Sequence, residues 1–193
     1  GIDVVIHSAT KYLGGHSDIC AGAVVGSKKH LQSIKSTALN FGGSLDAQVC
    51  YLLERSLKTI FVRVNQQNKN AQDIAGFLQK HKKINTVFYP GLPGSYGYEL
   101  AKKQMNGFGG MLSFELKSGD IVDFQKKLKI IKPAVSLGGV DSTISAPTLT
   151  SHRHVPENER EKDGINNRML RLSVGIENVA DLIEDLKKVL NEI

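Results

Sequence analysis

Three consecutive β-branched residues, Val4, Val5 and Ile6, stand just ahead of a polar break at Ser8-Ala9-Thr10-Lys11, in the stretch GIDVVIHSATKYLGGHSD. No other feature constrains the fold as much. Such a run predicts a strand covered on both faces, as in the sheets of α/β proteins. A strand of that kind needs partners on either side. No earlier residues supply them, whereas chain termini are usually polar and frayed. The sequence therefore reads as the C-terminal part of a larger protein, with an N-terminal part of the same domain lying outside it.

Beyond the lysine turn, residues 21–27 (AGAVVGS) predict a second short strand. NFGGS at residues 40–44 reads as a glycine turn, with Ser44 as the N-cap of a following helix. From Leu45 one apolar stripe runs through Val49, Leu52, Leu53, Leu57, Ile60 and Val64. Ala71, Ile74, Ala75 and Leu78 continue it, which predicts one long helix joining two lobes. YPGLPGS at residues 89–95 is a turn. After it the spacing predicts strands at 111–116, 134–137 and 169–174, and helices at 121–128 and 179–190. The expected organisation is residues 1–65 as the end of a large α/β domain with the start of the linking helix. Residues 66–193 then form a smaller α/β domain.

Composition removes several classes of function. Hydrophobic residues make up 40% and charged residues 23%, an ordinary globular balance. No apolar run approaches the roughly 20 residues that cross a bilayer, so a membrane role is not expected. The formal net charge is +6, but the clusters KHKK and KKLK fall on separate predicted helix ends with few aromatics nearby. Nucleic acid is therefore not an expected partner. Cys20 and Cys50 form no metal or redox motif and read as free thiols of a reducing compartment, hence the cytoplasm. His152 and His154 in SHRH have no neighbouring third ligand, so no metal site is expected.

Three places could carry chemistry. Lys11 follows the C-terminal end of a buried strand, where α/β sheets bind ligands. Ser8 and Thr10 flank it with two hydroxyls, and Gly14 and Gly15 keep the next turn open to a ligand. The set suits a phosphate beside a reactive amine, and a lysine there can condense with an aldehyde cofactor; a surface lysine in a loop fits the pattern as well. In RMLRLSVGIEN, Leu170, Leu172 and Val174 share one strand face and Arg171 lies on the other. Arg171 could hold a carboxylate through two parallel hydrogen bonds, or be an arginine that simply reaches solvent. In AVSLGGVDS, Ser136 precedes a diglycine turn.

The ordered set HSATKYLGGHSD, GFGGMLSFEL, SLGGVDS and RLSVGIEN resembles the cystathionine γ-synthase and γ-lyase family, the pyridoxal-phosphate-dependent enzymes of cysteine and methionine metabolism. The likeness covers essentially the whole chain and about the C-terminal half of a family member. It implies the type I aminotransferase-like fold, with pyridoxal 5'-phosphate carried covalently by Lys11. It makes Ser8 and Thr10 contacts to the cofactor phosphate, Arg171 the clamp on the substrate α-carboxylate, and Ser136 part of the pocket lining. The implied assembly is a homotetramer of active dimers. The aspartate that pairs with the pyridine nitrogen and the stacking tyrosine would lie upstream of Gly1.

The resemblance implies a transsulfuration-type reaction on sulfur amino acids or homoserine esters, by β/γ-elimination or γ-replacement. The alternative is a catalytically inactive module, derived from such an enzyme, that binds partners. One position departs from the pattern: family members that handle cystathionine commonly carry a glutamate where this chain has Val135. Valine offers a distal amino group neither charge nor hydrogen bond, so a small or apolar distal end is expected.

Overall fold

The computed structural model describes residues 1–193, which divide into two compact units, Gly1–Phe61 and Val62–Ile193. In the first unit, β1 (Val4–Ser8) pairs antiparallel with β2 (Gly22–Gly26), from Val4 opposite Gly26 to Ser8 opposite Gly22. Helices α1 (Lys28–Phe41) and α2 (Ala47–Leu57) follow. Ala9, Ile19 and Ala21 form a small buried core, against which Leu13, Ala23, Leu45, Val49, Leu52 and Leu53 pack.

The cover expected on both faces of β1 is not supplied within this chain. β1 has β2 as its sole strand partner, and Ile6 is 77% exposed. A two-stranded ribbon has no layer of its own to cover both faces, so its β-branched residues stay in solvent within this chain. Two boundaries also move. The N-cap of α2 is Asp46, whose carboxylate accepts from Val49 N at 3.0 Å, and not Ser44. The single long helix is two, because the chain breaks at Lys58–Thr59 before α3 (Ile60–Lys80). There the amides of Lys58 and Thr59 bond back to Arg55 O and Ser56 O, the tightened bonding of a helix end.

The second unit continues α3 into β3 (Ile84–Phe88), α4 (Tyr98–Gln104), β4 (Met111–Leu116), α5 (Ile121–Lys127) and β5 (Lys132–Pro133). Then come β6 (Thr143–Ser145), a 3-10 turn at Pro147–Leu149, α6 (Glu157–Lys162), β7 (Met169–Ser173) and α7 (Val179–Asn191). The sheet order is β3-β4-β7-β6-β5, antiparallel except for the β5–β6 pair.

Alternation explains its two faces. Leu112, Phe114 and Leu116 of β4 and Leu170 and Leu172 of β7 enter one core. Ile74 and Leu78 of α3, Phe124 of α5 and Leu182 and Leu186 of α7 fill the same core at helical spacing. Phe114 and Phe124 meet edge to face with centroids 6.1 Å apart. The buried Asp185 carboxylate accepts from the amides of Lys129, Ile130 and Ile131 at 2.9, 2.9 and 3.0 Å, pinning the chain as it leaves α5.

The strand expected over 134–137 is replaced by a loop after the two-residue β5. Ala134 N still donates to Ile144 O at 3.0 Å, but Val135 O and Ser136 O accept from the Arg171 and Thr143 side chains instead of a ladder, and Gly138 takes a positive φ of 77° that ends extended structure. No helix of the chain is long and apolar enough to cross a membrane.

Candidate active site

In the first unit the sequence turns immediately after β1. Lys11 N donates to Ser8 O at 3.1 Å, Gly14 N to Ala9 O at 2.7 Å and Gly15 N to Lys11 O at 2.7 Å. These bonds wind residues 8–15 into a compact turn with half-buried Lys11 in its middle. Gly14 is required sterically, because a Cβ there would stand 2.8 Å from Ala9 O and from the Ile19 side chain. Thr10 ties the turn to the strand that follows: its N donates to Ala21 O at 3.1 Å, its Oγ1 receives Ala21 N at 2.9 Å, and it donates weakly to Ala21 O at 3.3 Å. Ser8 is exposed at the end of β1. The Lys11 ammonium pairs with no carboxylate of this chain.

A primary amine with no ion-pair partner, two hydroxyls at alternate positions and a buried side-chain-free turn form a donor set that fits an aldehyde bearing a phosphate. A lysine committed to a salt bridge would not.

In the second unit Arg171 occupies the centre of β7, opposite Ser113 of β4 on one side and Ser145 of β6 on the other. The three make a polar row on the face away from the core. Arg171 Nη2 donates to Val135 O at 3.0 Å. One of five guanidinium N–H donors is thereby used, and the rest of a rigid fork is left for an anion. The structure thus brings Arg171 to the backbone of Val135, which is 63% exposed, while the neighbouring Ser136 is half-buried and its carbonyl accepts from Thr143.

The loop that presents Val135 is held from several directions. Gly138 N donates to Ser173 Oγ at 2.8 Å, Gln67 Nε2 to Gly139 O at 2.7 Å and Thr143 Oγ1 to Ser136 O at 3.0 Å. Behind it, the Glu177 carboxylate accepts from Ser142 N at 2.6 Å and Ser142 Oγ at 2.9 Å. Sequence reasoning missed Gln67, Ser142, Ser173 and Glu177 as supports. The last three stand inside the quoted motifs SLGGVDS and RLSVGIEN, which was the available signal. Gln67 gave none.

An α/β chain with a lysine turn behind a strand, and an arginine centred in a mixed sheet, belongs to the type I aminotransferase-like class. Comparison with known proteins agrees. Residues 1–191 match the family described as Cys/Met metabolism PLP-dependent enzyme. The chain is 45% identical over 194 residues to a cystathionine beta-lyase of Lactococcus lactis subsp. cremoris (strain MG1363), covering 100% of this chain and 51% of that protein. It is 45% identical over 197 residues to an L-methionine gamma-lyase of Fusobacterium nucleatum subsp. nucleatum, covering 100% of this chain and 50% of that protein. A crystal structure of cystathionine gamma-lyase from Lactobacillus plantarum complexed with L-serine superposes with a TM-score of 0.95 at 39% identity, over 100% of this chain and 51% of that one. The chain thus belongs to the family of pyridoxal-phosphate-dependent enzymes of cysteine and methionine metabolism, and it spans about half the length of the curated relatives it matches.

Proposed function

We propose that this chain carries the cofactor lysine and the carboxylate clamp of an enzyme that cleaves or exchanges the β- or γ-substituent of sulfur amino acids or homoserine esters. The observation that carries the reading is Lys11: half-buried, in a turn closed by Ser8 and Gly15, free of any ion pair and flanked by two hydroxyls. When bound, pyridoxal phosphate supplies an electron sink that makes the α-proton of an amino acid acidic.

The chain's own residues do the rest. Ser8 donates its hydroxyl to the phosphate, and Thr10 does so by turning its proton away from Ala21 O, its weaker contact at 3.3 Å. Arg171 takes the α-carboxylate on its free N–H donors while Val135 O holds the guanidinium in place. That fixes the rotation of the amino acid about its α-carbon, a positioning effect. Lys11 Nζ accepts the α-proton and returns it later, as a general base and then a general acid. Val135 offers the distal end of the substrate an apolar wall, which suits methionine, homocysteine or an activated homoserine better than a second amino group. The active species in this reading is a homotetramer of active dimers in the cytoplasm, acting on a small amino acid.

The test is borohydride reduction of the complete holoenzyme, followed by peptide mapping. The label is expected on Lys11; a label on another lysine overturns the assignment.

A further inference from the structure

The carbonyl that aims Arg171 belongs to a loop, and the loop is tied to the strand of Arg171 at Ser173 and, just past that strand, by the Glu177 carboxylate. Glu177 lies just past β7. It does not cap the helix that follows, since Asn178 Oδ1 performs that role by accepting from Ala180 N at 2.9 Å. Both Glu177 oxygens instead receive Ser142, one the backbone N–H at 2.6 Å and the other the hydroxyl at 2.9 Å. Ser142 is buried, and its Oγ in turn accepts from Gly175 N at 2.8 Å. Every polar group of Ser142 is thus committed, since its carbonyl also receives Lys132 N at 3.2 Å.

The cluster is fastened to α3 as well. Asn70 Nδ2 donates to Gly175 O at 3.1 Å and to Glu177 O at 2.8 Å. The two backbones approach so closely that a Cβ on Gly175 would stand 2.1 Å from Val140 O, and Ile176 N donates to that same oxygen at 2.8 Å. The segment after β7 and residues 138–142 therefore move as one body. Val135, whose oxygen receives Arg171 Nη2, is in the same loop.

We propose that Glu177 is a positioning residue: by clamping Ser142 it sets the place of the Val135 carbonyl and so the direction in which Arg171 presents its free donors to a substrate carboxylate. This rests on the reading of Arg171 as the carboxylate clamp. The chemistry of the clamp makes it sensitive to a single atom. In Glu177→Gln one oxygen still accepts from Ser142 N, but the other becomes an NH2 facing the Ser142 hydroxyl. That hydroxyl then loses the acceptor for its proton while still bound by Gly175 N. The clamp is weakened on one side, the amide N–H now donating to the hydroxyl oxygen and the buried hydroxyl proton left without an acceptor, with side-chain shape preserved.

The experiment compares alanine with ethylamine, which lacks only the carboxylate, by titrating each into the complete holoenzyme and following the cofactor absorbance. Wild type is expected to prefer alanine, and Arg171→Ala to abolish the preference. Glu177→Gln and Ser142→Ala are each expected to cut the preference about tenfold, the size of effect a displaced positioning group produces. Ethylamine binding and cofactor retention stay near wild type. On the Arg171→Ala background, Glu177→Gln should cost nothing more. Equal weakening of both ligands by Glu177→Gln makes the residue merely structural and overturns the proposal, as does an unchanged preference. If Glu177→Gln loses the cofactor, Ser142→Ala decides the matter by the same comparison; unfolding of both assigns Glu177 to the fold alone and also overturns it. A wild-type preference that survives Arg171→Ala overturns the reading of Arg171 itself, which separates the two failures.

Discussion

Arg171 donates through Nη2 to the carbonyl oxygen of Val135 at 3.0 Å, joining the middle of β7 to a loop that comes 36 residues earlier in the chain. The bond orients the guanidinium without neutralising it, because a carbonyl carries no net charge. The rest of the fork stays available for a carboxylate.

Arg171→Ala should therefore weaken amino-acid binding far more than cofactor binding. Each hydrogen bond to a charged group is worth about 1.5–3 kcal/mol, or roughly tenfold to a hundredfold in affinity. Arg171→Lys should recover only part of this, since an ammonium lacks the planar fork. The apparent substrate constant and the retained cofactor absorbance measure the two effects separately. Equal loss of both would make Arg171 a structural residue.

The role proposed for Val135 is to favour substrates whose distal end is small or apolar. Its side chain is 63% exposed, so Val135→Glu places a carboxylate in water without the cost of burying a charge. The complete enzyme should prefer methionine or homocysteine to cystathionine, and Val135→Glu should shift the ratio of kcat/KM values towards cystathionine. A wild-type enzyme that already favours cystathionine, with no response to Val135→Glu, would show that specificity lies elsewhere.

Asp185 tests the fold apart from the site. Its carboxylate accepts three backbone N–H groups while only 6% exposed. Asp185→Asn must turn an NH2 towards at least one of those donors, leaving it without a partner. The expected loss is about 1–3 kcal/mol of stability. It should be read as a lower urea midpoint with an unchanged slope, and cofactor spectra under native conditions should not change. An unaltered midpoint would mean that solvent replaces the lost bonds.

What the sequence determined by itself is what local periodicity encodes. The alternation that buries Leu112, Phe114 and Leu116 marks β4 at Met111–Leu116, and the helical stripe of Leu182, Leu186 and Val189 marks α7 at Val179–Asn191. Lys11 and Arg171 stand out as candidates in the order of residues, an amine after a strand and a guanidinium facing away from a core. A surface lysine and a solvent-reaching arginine fit that pattern as well, and only the resemblance of the surrounding motifs implies their roles. What only the tertiary structure decided depends on groups far apart in the chain. The loop at 134–142 is a loop because Ser173, 35 residues from Gly138, and Gln67, 72 residues from Gly139, take the bonds a strand would have given to a neighbour. The meeting of Val135 with Arg171 and the closure of Glu177 on Ser142 follow from the same long-range pairing of β6 with β7. Exposure of Val5 and Ile6 is likewise non-local. Their β-branching predicts an extended backbone, but burial depends on which elements lie over the strand, and within this chain none covers it.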